Sequence, residues 1–421
     1  MKLQNMIIVA TALTVLHICA LQVSARAAKH AAMPLLLVGY KVSPSDGATH
    51  AVLKIMQKDL SFTGQFKVDA ITERSLNYAA WQKKYPIAVV VKRADKHRFI
   101  WHLYDSTSKR IIAEGNISAQ DSDRAYAHAL SDAVWKELTG CEGFFSTRIV
   151  YCKEKLSNNK IDKHIFVADY DGTHEQLLVD APDITVAPRW NQGCSRPLIF
   201  YSAFGDANVR MMYTDLHKNK HIACDFDGVS MLPAFSKDGS SVVFCASNGK
   251  GTTQLYKIVN GKAKRLTGNS GNNFCPTLTE DGSKVYFCSD CGLGQPSLFV
   301  YDMQTKALER IPETAGSETP CYSPIRKRIA YAKNVKGIMQ LCLYDINQKK
   351  HMPLTEDAGS KQSVSWSPCG NYVLYAHEMQ GKSSLCMMQV STKRVIPLRE
   401  ITGNISYPNW SPRYERYPDI A

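Results

Sequence analysis

The sequence predicts two domains, an N-terminal α/β domain followed by a six-bladed β-propeller. In the second part, short anchors, most of them a proline near an aromatic residue or a tight turn, recur at positions 188, 233, 276, 320, 364 and 408 of the 421-residue chain. The successive spacings are 45, 43, 44, 44 and 44 residues, close to the length of one propeller blade. In the first part this period is absent, and the patterns of helices and buried strands alternate instead.

The N-terminal segment, residues 34–140, reads as an α/β domain with a mostly buried sheet. Its strands are apolar or alternating runs, and its helices repeat apolar residues on one face. Ser122 or Asp121 is expected to cap the last helix, and Gly140 is expected to end it. The predicted strands cover residues 34–40, 87–91, 99–105 and 110–115, and the predicted helices cover residues 48–60, 75–83 and 121–138.

Each repeat of the second part contains four short β-rich segments. In the repeat whose anchor is Pro233, the three segments after the anchor are residues 242–245, 254–258 and 264–267. They are rich in β-branched and aromatic residues or end in polar turns. A single blade of four strands cannot bury both of its faces. Neighbouring blades must therefore stack, and the ring must close to hide its edges.

The blade count follows from two incomplete repeats at the ends of this region. Residues 148–152, 165–169 and 176–179 resemble a second, third and fourth strand without an anchor. Residues 408–412 form an anchor without the strands that follow it. Together they make one composite blade, so that five complete blades and this one give six. The last strand is therefore predicted to close the ring against the first three.

The N-terminus has the layout of a secretory signal peptide. Lys2 precedes an apolar stretch, residues 6–23, which is followed by Ala25 and Ala27 at a suitable cleavage site. A single membrane anchor is the alternative. No other segment approaches the ~18 consecutive apolar residues that a membrane-spanning helix needs. The predicted limits are a signal peptide at 1–27, the α/β domain at 28–141, a linker at 142–147, the propeller at 148–414 and a C-terminal tail at 415–421.

Charge and cysteine content bear on partners and cofactors. The net charge is +13, but the basic residues are scattered through predicted turns, which favours solvated charges over a nucleic-acid site. Four of the thirteen cysteines occupy strand positions that sister repeats fill with small apolar residues, so they are expected to be buried: Cys245, Cys288, Cys342 and Cys386. Cys288 and Cys291 form a C-x-x-C pair, for which a disulfide or redox role stays open. A zinc site would need a second pair, so no metal or cofactor is expected.

A hydrolytic or carbohydrate-binding propeller is the alternative to an interaction protein. A hydrolase domain of the α/β type needs a G-x-S-x-G string, which the sequence does not contain. His174 and Glu175 lack the second histidine of a zinc-protease helix. The tryptophans near the anchors are expected to pack between blades rather than to stack on a sugar: Trp190, Trp366 and Trp410. A non-enzymatic protein is therefore expected.

Three stretches, together with the repeats, resemble the TolB family of exported propeller proteins. They are Lys-Glu-Leu-Thr-Gly at 136–140, Phe-Ser-Thr-Arg-Ile-Val-Tyr at 145–151 and Val-Ala-Asp-Tyr-Asp-Gly at 167–172. Residues 62–66 also resemble the helix-to-strand turn of the family's first domain. The similarity covers nearly the whole mature chain in the same order, and the junction at 138–172 is its most specific part.

The resemblance implies a periplasmic, monomeric protein of the Tol–Pal system, peripheral to the outer membrane through its partner. It would bind the peptidoglycan-associated lipoprotein Pal at the mouth of the propeller channel and link it to the inner-membrane TolA–TolQ–TolR complex. Its roles would be outer-membrane integrity and envelope constriction at cell division. In the family, the loops that enter the innermost strands surround this mouth. The corresponding residues are Asp183, Val229, Ser230, Asn272, Asn273, Phe274, Glu318, Gln362 and Asn404.

The TolA-like partner has no residues assigned to it. In the family, a flexible N-terminal segment of the mature chain contacts TolA. Here only a few residues separate the predicted cleavage site from the first predicted strand, and residues 29–33 do not resemble the family's segment. A contact with a TolA-like protein would therefore use other residues.

Overall fold

The computed structural model describes residues 32–414 except 119, 158–159, 181–183, 194–195, 206–207, 225, 227, 248–250 and 292–293. Residue contacts divide the chain into two units, with the boundary between Ser146 and Thr147. The predicted signal peptide and C-terminal tail lie outside the described residues, and the predicted domain limits stay predictions. In the part of the chain that is described, no helix is long and apolar enough to cross a membrane.

The first unit contains a five-stranded sheet with strand order β2-β1-β3-β4-β5. Strand β1 is parallel to β2 and β3, whereas β4 is antiparallel to β3 and β5. The elements are β1 Met33–Tyr40, α1 Gly47–Phe62, β2 Phe66–Glu73, α2 Tyr78–Gln82, β3 Ile87–Asp95, β4 Arg98–Asp105, β5 Arg110–Ser118 and α3 Asp123–Thr139.

The central strands of this sheet are buried on both faces, as their continuous apolar runs predict. Leu36 and Val38 of β1 pack with Trp81 of α2 on one face. On the other face Gly39 lies against Leu53 of α1. Helix α2 is shorter than the predicted 75–83, because the Asn77 side chain accepts a hydrogen bond from Ala80 N at 3.2 Å and starts the helix there.

Helix α3 confirms the predicted caps. The Ser122 side chain accepts a hydrogen bond from Ala125 N at 3.2 Å, and Gly140 ends the helix with a left-handed backbone at φ 70°. Asp132, which is 3% exposed, accepts hydrogen bonds from Phe145 N at 2.8 Å and Ser146 N at 3.1 Å. This buried carboxylate fixes the end of the first unit.

The second unit is a six-bladed propeller of four-stranded antiparallel blades, as predicted. From the innermost strand outward, blade 1 consists of β29 Ile405–Trp410, β6 Arg148–Ser157, β7 Lys160–Asp169 and β8 Gln176–Val179. Blade 2 consists of β9 Thr185–Trp190, β10 Leu198–Phe204, β11 Val209–Asp215 and β12 Lys220–Ile222, and blade 3 of β13 Val229–Phe235, β14 Val242–Ser247, β15 Gln254–Val259 and β16 Lys262–Arg265.

Blade 4 consists of β17 Asn273–Leu278, β18 Lys284–Ser289, β19 Ser297–Asp302 and β20 Leu308–Arg310. Blade 5 consists of β21 Ser317–Tyr322, β22 Arg328–Val335, β23 Ile338–Asp345 and β24 Lys350–Pro353. Blade 6 consists of β25 Ser360–Trp366, β26 Tyr372–Met379, β27 Lys382–Gln389 and β28 Arg394–Pro397.

The ring closes through the composite blade. Strand β29 pairs antiparallel with β6, with Trp410 opposite Ile149. Trp410 Nε1 donates to Thr147 Oγ1 at 2.8 Å, and Arg148 N donates to Ser411 Oγ at 3.0 Å. The predicted joint between the end of the chain and the first three propeller strands is therefore confirmed.

The outer strand of blade 3 ends earlier than the predicted 264–267. Thr267 turns inward, because its Oγ1 accepts a hydrogen bond from Leu255 N at 3.0 Å and donates to Gln254 Oε1 at 2.8 Å. Thr355 does the same in blade 5, where its Oγ1 accepts from Leu341 N at 2.9 Å. A threonine after the outer strand thus satisfies a backbone donor of the third strand.

Every innermost strand contains a β-bulge immediately before its anchor. The register to the second strand shifts there in all six blades. The residue directly before each anchor has a left-handed backbone, with φ between 49° and 57°. None of these six residues is a glycine: they are Ala187, Leu232, Cys275, Thr319, Ser363 and Tyr407. Such a conformation costs a side-chain-bearing residue about 1–3 kcal/mol. Because the bulge inserts one residue, side chains three positions apart face the same side of the strand.

The cysteines and tryptophans of the repeats pack as predicted. Cys245 and Cys288 are fully buried, and Cys342 and Cys386 are 8% and 4% exposed. The anchor tryptophans Trp190, Trp366 and Trp410 are at most 5% exposed, which leaves no face of their rings open for stacking a sugar. Trp190 and Trp366 pack in clusters between neighbouring blades, and Trp410 N donates to Ser365 of blade 6. Cys288 and the partly exposed Cys291 are free thiols.

Candidate partner-binding mouth

One end of the propeller gathers the segments that the sequence analysis singled out. Neighbouring strands in each blade are antiparallel, so the start of the innermost strand, the loop that precedes it and the hairpin between the second and third strands all lie at the same end. We call this end the mouth. Eight of the nine predicted site residues lie there, whereas Asp183 lies outside the described residues.

Most predicted site residues are in strands rather than in the loops that precede them. Of the eight site residues that the structure describes, Asn272 and Asn404 precede a strand. The difference arises because each innermost strand begins three or four residues before its anchor, a start that the repeat pattern does not mark. The residues within the first three positions of an innermost strand are Val229, Ser230, Asn273, Phe274, Glu318 and Gln362.

The position three residues before each anchor is buried in every blade. Two predicted site residues, Ser230 and Asn273, occupy it. Ser230 Oγ accepts a hydrogen bond from Met211 N of blade 2 at 3.1 Å, so it connects neighbouring blades. These side chains support the wall of the mouth from inside. The residues at this position are at most 1% exposed: Thr185, Ser230, Asn273, Ser317, Lys361 and Ile405.

The Asn272-Asn273 pair is satisfied within the protein. Asn273 Nδ2 donates to Gln254 Oε1 at 2.9 Å and to Asn269 Oδ1 at 2.6 Å. Asn272 Nδ2 donates to Asp290 Oδ2 at 2.9 Å. Asn273 therefore attaches the start of β17 to Gln254 of blade 3, and Asn272 attaches the preceding loop to Asp290, which follows β18 of its own blade. Asn273 has no exposed surface to offer a partner.

In blade 6, Lys361 occupies the repeat position that Asn273 occupies in blade 4. The sequence analysis did not identify this lysine. Its ammonium group donates to the carbonyl oxygens of Asp357, Ala358 and Gly359 at 2.7, 2.9 and 2.9 Å. Burial acts to raise the pKa of the Asp357 carboxyl, but the bond and charge of Lys361 outweigh it and lower that pKa. An alignment of the repeats on their anchors would have put this lysine at the same repeat position as Asn273.

The mouth also exposes large apolar side chains, which no motif predicted. Half of the large apolar side chains that are exposed on the described part of the propeller lie there, mostly in hairpins between second and third strands. Because they are far apart in sequence, only ring closure brings them to one end. Exposed apolar side chains at one end of a ring make that end a candidate protein-binding region. They are Ile161, Ile184, Phe204, Val335, Ile338 and Met379, between 37% and 57% exposed.

Behind the mouth, two tiers of side chains line an axial channel. The upper tier, which is nearer the mouth, consists of the residues two positions before each anchor. All six are at least partly exposed: Val186, Met231, Phe274, Glu318, Gln362 and Ser406. The lower tier stands one residue after each anchor: Arg189, Ala234, Thr277, Cys321, Ser365 and Asn409. All but Ser365 are partly exposed although they lie at the centre of the ring, which requires an open space on the axis.

Short polar side chains of the lower tier hold neighbouring blades together. Thr277 Oγ1 accepts a hydrogen bond from Tyr322 N of blade 5 at 3.0 Å. Ser365 Oγ accepts from Trp410 N at 2.9 Å, and Asn409 Oδ1 accepts from Trp190 N at 2.9 Å. Each bond joins one blade to the next. The described residues contain no cluster of His, Cys, Asp or Glu suited to a metal ion.

The fold and the mouth define a two-domain protein of the six-bladed β-propeller class. The family model described as the TolB beta propeller domain matches residues 135–414. The chain belongs to the TolB β-propeller family. Its membership confirms the resemblance seen in the sequence.

Named relatives and solved structures agree with this assignment. The chain is 30% identical over 225 residues to the Tol-Pal system protein TolB of Rickettsia felis, and 30% identical over 219 residues to that of Rickettsia canadensis. These alignments cover 49% and 48% of this chain and 50% and 48% of the relatives, so the chain spans about half the length of the curated relatives it matches.

The crystal structure of TolB from Acinetobacter baumannii matches with a TM-score of 0.76 at 24% identity, covering 91% of this chain and 97% of that one. A chain of the Kuenenia stuttgartiensis hydrazine synthase matches with a TM-score of 0.53 at 13% identity, over 64% of this chain and 48% of that one. At these identities the matches show the fold alone.

Proposed function

We propose that this chain is a non-enzymatic, periplasmic interaction protein of a Tol–Pal system. It binds the soluble domain of a peptidoglycan-associated lipoprotein at the mouth and links it to the inner-membrane Tol complex. In this role the protein is a monomer, peripheral to the outer membrane through its partner, and acts in envelope integrity and constriction at division. The observation that carries the proposal is the exposed apolar mouth of a propeller that belongs to the TolB family.

Burial separates the proposed site into contact and support residues. Gln362 and Asn404 are exposed, and Val229, Phe274 and Glu318 are partly exposed, so we assign these five to direct contact. We assign the other three described residues to support, since they are buried or bonded within the wall: Ser230, Asn272 and Asn273. The assignment of Asp183 stays a prediction.

Met379→Glu is expected to weaken lipoprotein binding at least tenfold. Met379 is 50% exposed at the mouth, and a carboxylate there would be desolvated without a partner in an apolar contact. The measurement is a calorimetric titration with the soluble domain of the peptidoglycan-associated lipoprotein from the same organism. The matched control is Val395→Glu in the same blade, on the outermost strand, 44% exposed and expected to bind as the parent does.

Two results would count against this proposal in different ways. A parent chain that does not bind the lipoprotein domain would refute the partner. Equal affinities of the two variants would refute the mouth as the binding surface and leave the partner standing. Export is tested separately, by cell fractionation of the full chain with and without residues 1–27.

A further inference from the structure

Arg189 breaks the pattern of the lower tier. The other five side chains of the tier are short, and three of them bridge to the next blade through hydrogen bonds. Arg189 instead carries a long cation, and its Nη1 donates to the carbonyl oxygen of its own neighbour, Pro188, at 3.0 Å. Departures from an otherwise consistent pattern are expected where a protein has a function to serve.

The charge of Arg189 lies on the propeller axis. Burial raises the pKa of four thiols that belong to blades 1, 3, 4 and 5, and in each case the Arg189 charge acts in the opposite direction: Cys152, Cys245, Cys275 and Cys321. A charge on blade 2 that reaches four other blades must project into the central space. Arg189 is partly exposed there.

Glu318 is the acidic counterpart in the upper tier. Among the six side chains of that tier it alone is ionisable. It belongs to blade 5, three blades from Arg189 in a ring of six, and is therefore on the opposite side of the channel. Because of the bulge, the three-position step between the tiers spans two residues of the neighbouring strand, roughly 7 Å, so Glu318 lies nearer the mouth and Arg189 lies deeper. Neither side chain forms an ion pair with another described residue.

We propose that the axial channel binds a partner segment that places a carboxylate against Arg189 and a hydrogen-bond donor or cation against Glu318. This inference rests on the proposed function and specifies the chemistry of the segment that enters the mouth. A guanidinium in a confined channel favours a carboxylate, since the fork of N–H donors matches its two oxygens. The Glu318 carboxylate repels an acidic group that lies beside it instead of beside Arg189. This repulsion sets the depth to which the segment enters the channel.

The channel's preference for anions is testable without a partner. Cys321 lies in the same tier as Arg189 and is a partly exposed free thiol. Its two probes are iodoacetate and iodoacetamide, which differ in charge but would form the same C–S bond with loss of iodide. The ratio of the two alkylation rates at pH 9, measured by mass spectrometry of the folded full chain, reports the local potential. Cys141 in the first unit is an internal reference, as it is also a partly exposed free thiol.

We expect the iodoacetate-to-iodoacetamide ratio at Cys321 to exceed that at Cys141 in the parent chain. Arg189→Gln should lower the Cys321 ratio at least about threefold, whereas Glu318→Gln should raise it and Arg189→Lys should keep it. Arg210→Gln, an exposed arginine of the same blade, is the control and should leave it unchanged. If Arg189→Gln does not fold, the proposal is tested by whether Glu318→Gln raises the iodoacetate-to-iodoacetamide ratio at Cys321. An unchanged ratio in both variants, or no alkylation of Cys321, would overturn the proposal.

Lipoprotein titration separates this inference from the proposed function. Arg189→Gln should weaken binding of the lipoprotein's soluble domain at least tenfold and flatten its salt dependence. A variant that binds as tightly as the parent would overturn the carboxylate contact while the partner assignment stands. A parent that does not bind would refute the partner, and the alkylation ratio then decides alone whether the channel accepts carboxylates.

Discussion

Trp410→Ala is expected to lower the free energy of unfolding of the propeller by about 3–5 kcal/mol. Trp410 is 3% exposed and lies on β29, the strand that closes the ring. The substitution removes its packing and its Nε1 bond to Thr147, which joins the last strand to the start of the first three. Chemical denaturation followed by circular dichroism measures the loss.

The control for this prediction is Val395→Ala, in the outermost strand of blade 6. Val395 is 44% exposed, so a change within about 0.5 kcal/mol is expected. A second arm is a chain that ends at Gly403, which removes β29 entirely and leaves four residues of β6 without their partners: Ile149, Val150, Cys152 and Lys153. A truncated chain that unfolds at the denaturant concentration of the parent would contradict closure through β29.

The fold was predictable because its main signal is a period. Anchors spaced by about 44 residues define the blades, and the two incomplete repeats define the seam. The errors are local, and each has a cause in side-chain hydrogen bonding. Asn77 starts α2 later than the apolar pattern suggests, and Thr267 turns inward where the pattern continues the outer strand. Such polar side chains compete with the backbone of regular structure, which hydrophobic periodicity does not register.

The mouth was only partly predictable. The repeat pattern locates the ends of the innermost strands, but it does not tell which side chains point outward. Asn273 reads as a polar surface residue and is fully buried. Met379 and Ile161 lie at strand ends beside polar residues, so neither produces a pattern in the sequence. The lower tier needs the bulge as well, because a regular strand would place side chains two apart, not three apart, toward the channel.

Asn273→Ala is expected to destabilise the propeller by about 2–3 kcal/mol. The truncation leaves Asn269 Oδ1 without its donor and removes one of the two donors to the buried Gln254 Oε1, the other being Thr267 Oγ1. Gln362→Ala is the matched control variant, since Gln362 is exposed at the mouth. Its free energy of unfolding should stay within about 0.5 kcal/mol of the parent's. Calorimetric melting of both variants measures this difference.

The two variants should also differ in how they affect the lipoprotein. Gln362→Ala should weaken binding at every temperature, because it removes a contact. Asn273→Ala should weaken binding mainly as its melting transition is approached and recover affinity on cooling, because it alters only the support of the mouth loop before β17. Equal stability of Asn273→Ala and the parent would show that the buried amide network does not hold that loop. A temperature-independent loss of affinity in Asn273→Ala would instead make it a contact residue.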